Sequence, residues 1–144
     1  MLHDSTVRAS VESRLGRLRP DSVAVWGRMT PDQMLWHVNQ ALGASLGREV
    51  PPADRSPLPR PIMKFLVLKM PWPRNSPTNT AWVARERHDF DAELARCRAL
   101  VADFVARPVD EPPAAHPLFG KMSGREQSQL HAKHLDHHLK QFGL

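Results

Sequence analysis

Residues 123–144, SGREQSQLHAKHLDHHLKQFGL, carry the clearest helix signal of the chain and half of its eight histidines. Ser123 and Glu126 form a capping box, in which each side chain bonds the backbone N–H of the other residue. Gly143 is typical of the position just after a helix end. The pattern predicts a helix over 124–141, followed by a sharp stop.

Two of these histidines share one face of the predicted helix. At about 100° per residue, His134 and His138 point the same way, at the edge of an apolar stripe. Side chains at i and i+4 lie one turn apart, so both imidazoles can reach one cation. Neutral imidazole is a preferred ligand of zinc, nickel, iron and copper. The spacing indicates a metal site, with a solvated histidine-rich face as the alternative.

A catalytic metal site needs a third ligand and an open position for water or substrate, and His37 is the best candidate. Thr30, Pro31 and Gln33 predict the start of a second capped helix, which runs to about residue 46. Small and apolar residues share the face of His37, so this imidazole is expected to point into the core. Helical bundles commonly build metal sites from inward side chains on facing helices.

Apolar spacing and helix-ending residues predict the remaining elements. The first helix is expected to begin after Ser5 or Thr6 as its cap and to end before Pro20. No stretch alternates with a two-residue period, so the fold class is all-α, a four-helix bundle in a single domain over 1–144. The Pro-rich connection 47–61 is its long crossover, and it either covers the site as a lid or packs beside it. The predicted helices span 5–18, 31–46, 62–69, 87–106 and 124–141.

Composition and charge limit the class of protein. The single cysteine, Cys97, excludes an intramolecular disulfide framework and a zinc site built on several cysteines. The formal net charge of +5 comes mostly from scattered arginine without interleaved aromatic residues, so we expect no nucleic-acid partner. The longest apolar stretch, 62–70, is too short to cross a bilayer, and the N-terminus lacks the apolar core of a signal peptide. We therefore expect no membrane partner and a cytoplasmic location.

Two segments, WGRMTPDQMLWHVNQAL (26–42) and HPLFGKMSGREQSQLHAKHLDHHLKQFG (116–143), resemble the DinB-like superfamily of metal-dependent enzymes. The segment MPWPRNSPTNT (70–80) is similar to one bacterial branch of it. The shared motif is a histidine on the second helix, then H-x3-H and a following glutamine on the last. The resemblance implies a four-helix bundle of the up-up-down-down type, which agrees with the long crossover.

The resemblance also implies that His37, His134 and His138 hold a divalent ion, with zinc or nickel as the expected metals. Characterised relatives are transferases and isomerases that use low-molecular-weight thiols, and other members have no known activity, so activity does not transfer with the fold. The expected function is a metal-dependent enzyme, a hydrolase if the ion activates water or an S-transferase if it activates a thiol. Its expected partners are a small-molecule substrate, which includes low-molecular-weight thiols, and a second copy of the chain in a homodimer.

Two other hypotheses stay open, because neither motif segment offers a clear carboxylate base. Asp136 points away from the metal face, and Glu126 caps its helix. In the second hypothesis, the chain is a helical bundle that binds a metal or a small ligand without turnover. In the third hypothesis it is a structural or interaction protein whose histidine cluster is incidental.

Four further residues near the predicted site have alternative roles. His131 lies within reach of the metal face, where it either supports the ligands or has no role. Gln141 either hydrogen-bonds a ligand histidine or a metal-bound water, or is solvated. His137 is expected to be exposed, and His116 is expected to pack in a compact turn.

Overall fold

Five α-helices and no β-strand are found in the computed structural model, which describes residues 1–50, 58–74, 80–111, 114–116 and 118–144. The all-α class expected from the sequence is confirmed. Residues 51–57 of the connection 47–61 lie outside the described residues, and so does the choice between a lid and a segment that packs beside the site. The helices are α1 Ser5–Leu15, α2 Pro31–Ser45, α3 Arg60–Lys69, α4 Phe90–Ala106 and α5 Gly124–Gln141, with one 3-10 turn at Thr80–Trp82.

The end signals of α2 and α5 work as the sequence predicts. The backbone N–H of Thr30 donates to Gln33 Oε1 at 3.2 Å. Ser123 Oγ accepts from the N–H of Glu126 at 3.1 Å, and Glu126 Oε2 accepts from the N–H of Ser123 at 2.8 Å. Gly143 follows α5 with φ of +73°, a conformation that glycine adopts without strain. These local bonds satisfy backbone groups that a helix end leaves free.

The predicted first residue of α1, residue 5, is correct, but its predicted cap and end are wrong. Asp4, rather than Ser5 or Thr6, is the cap, since its Oδ1 accepts from the N–H groups of Thr6 and Val7 at 2.9 and 3.2 Å. A carboxylate is a stronger acceptor than a hydroxyl at this position, where it also faces the positive end of the helix dipole. The helix ends at Leu15, well before Pro20.

The starts of α3 and α4 also differ from the predicted residues. Asp89 Oδ1 accepts from the N–H of Ala92 at 2.9 Å, so α4 begins at Phe90 rather than at residue 87. Helix α3 begins at Arg60, two residues before the predicted start, because Pro61 is well suited to a first helical turn. Among the described helices, none combines the length and apolar character that crossing a bilayer requires.

The main core lies between α1, α2, α4 and α5. An apolar seam on α4 faces this core, with Cys97 fully buried and Phe104 4% exposed. Arg14 on α1 donates to Asp136 on α5 at 2.8 Å, which ties these two helices together at the edge of the core. The remaining seam residues on α4, which pack against this core, are Phe90, Leu94 and Val101.

Helix α3 lies outside this core, against α5. None of its side chains is fully buried, and Ile62, Phe65 and Leu66 face solvent. Lys133 on α5 donates through Nζ to two carbonyl oxygens at the end of α3, those of Val67 and Met70. This contact fixes the end of α3, and with it the start of the segment that follows.

Candidate metal centre

Three histidines from two helices meet at one point of the core. His37 on α2 and His134 and His138 on α5 each offer one ring nitrogen, and these nitrogens all lie within 4.8 Å of one another. The Nε2 atoms of His37 and His134 are 2.9 Å apart. The three rings stand 4.8–4.9 Å apart between centroids and are steeply inclined to each other. The structure thus brings together the three histidines that the sequence nominates, which we call the histidine cluster.

The ring of His37 is held from outside the histidine cluster by the 3-10 turn. Its Nδ1 lies 2.8 Å from the carbonyl oxygen of Trp82, which can only accept a hydrogen bond. Nδ1 therefore carries the proton of the neutral ring, and Nε2 presents a lone pair to the other two histidines. His37 is 3% exposed, so water does not compete for this contact.

Gln141 holds His138 in the same way. Its Nε2 donates to the carbonyl oxygen of Trp26 at 3.0 Å, which turns its Oε1 toward His138 Nδ1 at 2.9 Å. Since Oε1 only accepts, Nδ1 of neutral His138 carries the proton and Nε2 is free to bind a cation. Gln141 is 5% exposed, so of the two predicted alternatives it is the hydrogen-bonded one that the structure shows.

Space for this amide exists because residue 27 is a glycine. Gly27 has φ of +80°, and a Cβ atom there would lie 2.5 Å from Gln141 Nε2. Any other residue would be strained in its backbone and would push the amide away from Trp26. The loop before α2 is therefore shaped around the group that orients His138.

Burial keeps the histidine cluster uncharged. Loss of solvation lowers the pKa of His37, holds the pKa of His134 well below its ordinary range, and lowers that of His138 to about 3. Neutral imidazole is the form that binds metal ions. Bonds of about 2.0–2.1 Å to a tetrahedral zinc ion place ligand nitrogens about 3.3 Å apart. The 2.9 Å between the Nε2 atoms of His37 and His134 is close to this spacing, and the ligand atoms all lie within 4.8 Å of one another. The residues therefore fit such an ion once their nitrogens move relative to one another by at most about 1.5 Å.

His131 makes a different contact, although it lies on the same helix. Its Nε2 is 2.6 Å from Ser45 Oγ, and its ring stands 4.9 Å from that of Phe104. Burial lowers its pKa to about 3. The hydrogen bond goes to a core hydroxyl and not to a ligand histidine, so the contacts of His131 are those of a packed core residue.

The prediction that His137 is exposed is wrong. Its ring is half-buried, 5.9 Å from the ring of Trp26 and 5.5 Å from that of Trp72. It also lies 5.3 Å from the ring of His138. The segment that follows α3 covers this face of α5, which the helix by itself would present to solvent.

His116 packs in a turn, as the sequence predicts. The backbone of His116 pairs with that of Gly120 through two hydrogen bonds of 2.8 and 2.9 Å. The ring of His116 stacks on Phe119 at 4.3 Å. This histidine stabilises the approach to α5 and contributes no ligand to the histidine cluster.

Sequence reasoning missed what the tryptophans near the histidine cluster do. Trp72 stands 5.7 Å from the ring of His134, the carbonyl of Trp26 accepts from Gln141, and the carbonyl of Trp82 accepts from His37. The first two lie inside segments that carry the family resemblance, which is the one signal that could have indicated them. A backbone carbonyl has no signature in sequence.

The nearby carboxylates have other partners. Asp136 accepts from Arg14 and from Lys140, each at 2.8 Å. Glu126 caps α5 and pairs with Lys64 at 2.9 Å. The prediction that neither residue serves the metal face agrees with these contacts.

Comparison with known proteins places most of the chain in one family. Residues 10–143 match the family model described as "Protein of unknown function (DUF1569)". No curated protein and no solved structure matches the chain. An activity must therefore be argued from the geometry of the histidine cluster.

Proposed function

Because the chain belongs to the DUF1569 family, whose description assigns no activity, we propose a function from the histidine cluster itself. The chain is a metal-dependent enzyme of the DinB-like type, and His37, His134 and His138 hold one divalent ion. The observation that carries this proposal is the convergence of three neutral imidazoles within 4.8 Å. Three nitrogen ligands with a remaining open position are typical of catalytic zinc, and nickel accepts the same donors.

The packing of the helices supports the same family type. Helices α1, α2, α4 and α5 share one core, whereas α3 lies outside it on the connection between α2 and α4. This is the arrangement expected of a four-helix bundle with a long crossover, in the up-up-down-down order. The histidine cluster then lies between two core helices, where bundles commonly hold metals.

The chain's own residues prepare the histidine cluster for a metal. The Trp82 carbonyl and the Gln141 amide fix the protons of His37 and His138 on the outer nitrogens, and such supports raise metal affinity. Trp72 beside His134 limits the access of water. A divalent ion in this position would lower the pKa of a coordinated water or thiol and so supply a nucleophile near neutral pH.

Thiol transfer is the favoured reaction type. Hydrolysis needs a group that takes a proton from water, and the carboxylates of α5 are bound to arginine and lysine side chains. A thiol would bind such an ion as its thiolate, with its proton released to solvent, so its attack on a substrate would need no base. The substrate is a small molecule that reacts with a low-molecular-weight thiol.

Elemental analysis of the protein, prepared without a histidine tag, tests the proposal. We expect about one zinc or nickel ion per chain in the parent protein and none in His134→Ala. A thiol-transfer screen with the metal-loaded protein should then show turnover that His37→Ala abolishes. Absence of metal, together with no tight binding of added zinc or nickel, would refute the enzyme mechanism.

A bundle that binds metal without turnover is the second candidate. The pairing of the α5 carboxylates with cations, which leaves them unsuited to act as a base, favours it. It predicts the same metal content and the same loss in His134→Ala. It differs in the screen, where substrates bind and no product forms.

A further inference from the structure

We propose that Arg74 binds the carboxylate of an organic substrate whose apolar part lies against Trp26 and Trp72. This inference deepens the proposed function, and it rests on that function for the role of the histidine cluster as the reacting centre. It assigns the substrate to a class, small organic anions with an aromatic or apolar body.

The two indole rings flank the histidine cluster on the side that reaches solvent. Trp72 is 5.7 Å from His134, and both tryptophans stand within 5.9 Å of His137. Both rings are half-buried, whereas His37 and His138 are almost fully covered. A ligand that approaches the histidine cluster from this side meets the indole rings first.

Arg74 is held in place on one of these rings. Its Cζ lies 5.1 Å from the centroid of the Trp26 ring, within the range of a cation–π contact. The N–H groups of a guanidinium lie in its own plane, where they can bind a carboxylate with two parallel hydrogen bonds. In the described part of the chain Arg74 is paired with no carboxylate. The contact with Trp26 restricts this exposed side chain before a ligand arrives, which lowers the entropy lost on binding.

The surroundings of the two rings carry positive charge. Lys133 Nζ lies 5.7 Å from the centroid of the Trp72 ring. Asp136, the acidic residue next to His137 in the chain, is bound by Arg14 and Lys140. An anion is therefore attracted to this rim and a cation is repelled.

The Trp26 ring, which Arg74 contacts, also carries an unused hydrogen-bond donor. The Trp26 Nε1 atom is buried and has no hydrogen-bond acceptor among the described residues. A buried donor without an acceptor is unfavourable, so such a group gains from any oxygen that reaches it. A carboxylate held on Arg74 brings oxygen atoms to this ring.

The test is a titration of the metal-free protein with phenylacetate and with uncharged 2-phenylethanol. The four indole N–H signals are followed by two-dimensional ¹H–¹⁵N NMR and assigned from single Trp→Phe variants. We expect the signals of Trp26 and Trp72 to shift and phenylacetate to bind about tenfold more tightly than 2-phenylethanol, as for a charge-assisted contact. Equal affinity for the two ligands would overturn the proposal.

Two variants of equal charge separate Arg74 from the net charge of the chain. Arg74→Met should bring the two dissociation constants to within about twofold of each other, because the ion pair is lost. Arg17→Met, at another exposed arginine beyond the end of α1, should keep the preference for phenylacetate. A preference that survives Arg74→Met, or shifts confined to Trp36 in its separate cleft beside Val83, would refute the assignment.

Failure of this inference can be told from failure of the proposed function. The titration contains no metal, so it reports on the anion subsite alone. A chain that binds phenylacetate as expected but holds no zinc or nickel would keep the anion subsite and lose the metal-dependent mechanism. A chain that holds the metal in the histidine cluster but does not distinguish the two ligands would keep the mechanism and lose the role of Arg74.

Discussion

Two kinds of buried histidine lie on α5, and their partners differ. His131 makes one short contact of 2.6 Å, to the hydroxyl of Ser45. His134 and His138 instead lie next to each other and to His37 of α2. Burial lowers the pKa of His131 and of His138 alike, to about 3. Burial and a low pKa therefore do not distinguish a core histidine from a candidate ligand.

The count of protons distinguishes them. A hydroxyl both donates and accepts, so Ser45 satisfies neutral His131 in either tautomer. Neutral His37 donates its single ring proton to the Trp82 carbonyl, and neutral His138 donates its own to Gln141 Oε1. The inner nitrogens of His37 and His138 therefore carry lone pairs. At most one proton, that of His134, lies between the three rings. Such an arrangement of lone pairs can accept a cation, which is the basis of the proposed metal site.

The largest expected difference between the two sites is in metal content. His134→Ala should reduce bound zinc or nickel from about one ion per chain to almost none, because two imidazoles do not form a closed site. His131→Ala should leave the metal content unchanged. Elemental analysis after dialysis measures both. Equal loss of metal in the two variants would show that His131 and His134 do not differ in their role in metal binding.

Acidification of the metal-free protein should lower the free energy of unfolding through both kinds of histidine. The pKa of His131 and that of His138 are about 3 in the folded chain, and an unfolded histidine titrates near its ordinary value of about 6.5. The unfolded chain therefore binds more protons between these values. The stability is fully present above pH 6.5 and falls as the pH drops toward 3, by about 1.4 kcal/mol per pH unit for each histidine.

Urea unfolding at pH 7, 6 and 5 with a chelator measures this dependence by circular dichroism. Replacing His131 with leucine should reduce the change in unfolding free energy per pH unit by the contribution of one histidine. An unfolding free energy that does not change over this range would contradict the depressed pKa values of both sites.

His131→Ala should instead lower the free energy of unfolding by about 2–4 kcal/mol, because it leaves a cavity beside Phe104 and removes the bond to Ser45. Urea unfolding at pH 7 measures this change. Metal affinity of the folded variant should stay that of the parent. A stability loss below about 0.5 kcal/mol would mean that His131 is not the core residue its contacts indicate.

The smallest expected effect is at Gln141. Gln141→Leu should weaken metal binding by about 10–100-fold without abolishing it, since it removes a support of His138 and not a ligand. Gln127→Leu is the matched control, because Gln127 is also fully buried but donates to the carbonyl of Ala114 at 2.8 Å. Competition with a chromophoric chelator gives both affinities. An unchanged affinity in Gln141→Leu would remove the orienting role assigned to the amide.

The sequence predicts well where the signal is local. The ends of α5 follow from Ser123, Glu126 and Gly143, all within one turn of the helix ends. The prediction of the α1 cap was wrong because Asp4, Ser5 and Thr6 are all suitable caps, and only the folded chain selects among them. The histidine spacing on α5 placed two of the cluster histidines on one face for the same local reason.

What remained hidden from the sequence depends on contacts between distant parts of the chain. His37 is oriented by a carbonyl 45 residues later, and the partner of His131 lies 86 residues before it. The partly buried state of His137 depends on how the segment after α3 lies against α5. Spacing along one helix contains none of this information, because it is set by packing in three dimensions.

The glycine before α2 has a consequence for how this sequence can diverge over evolutionary time. A side chain at position 27 would collide with Gln141, which orients His138, so selection on the histidine cluster extends to a residue that touches no histidine. An exposed loop usually drifts freely, yet this one should tolerate change at the exposed Arg28 and not at Gly27. Among descendants of a common ancestor, loss of that glycine should accompany loss of the glutamine.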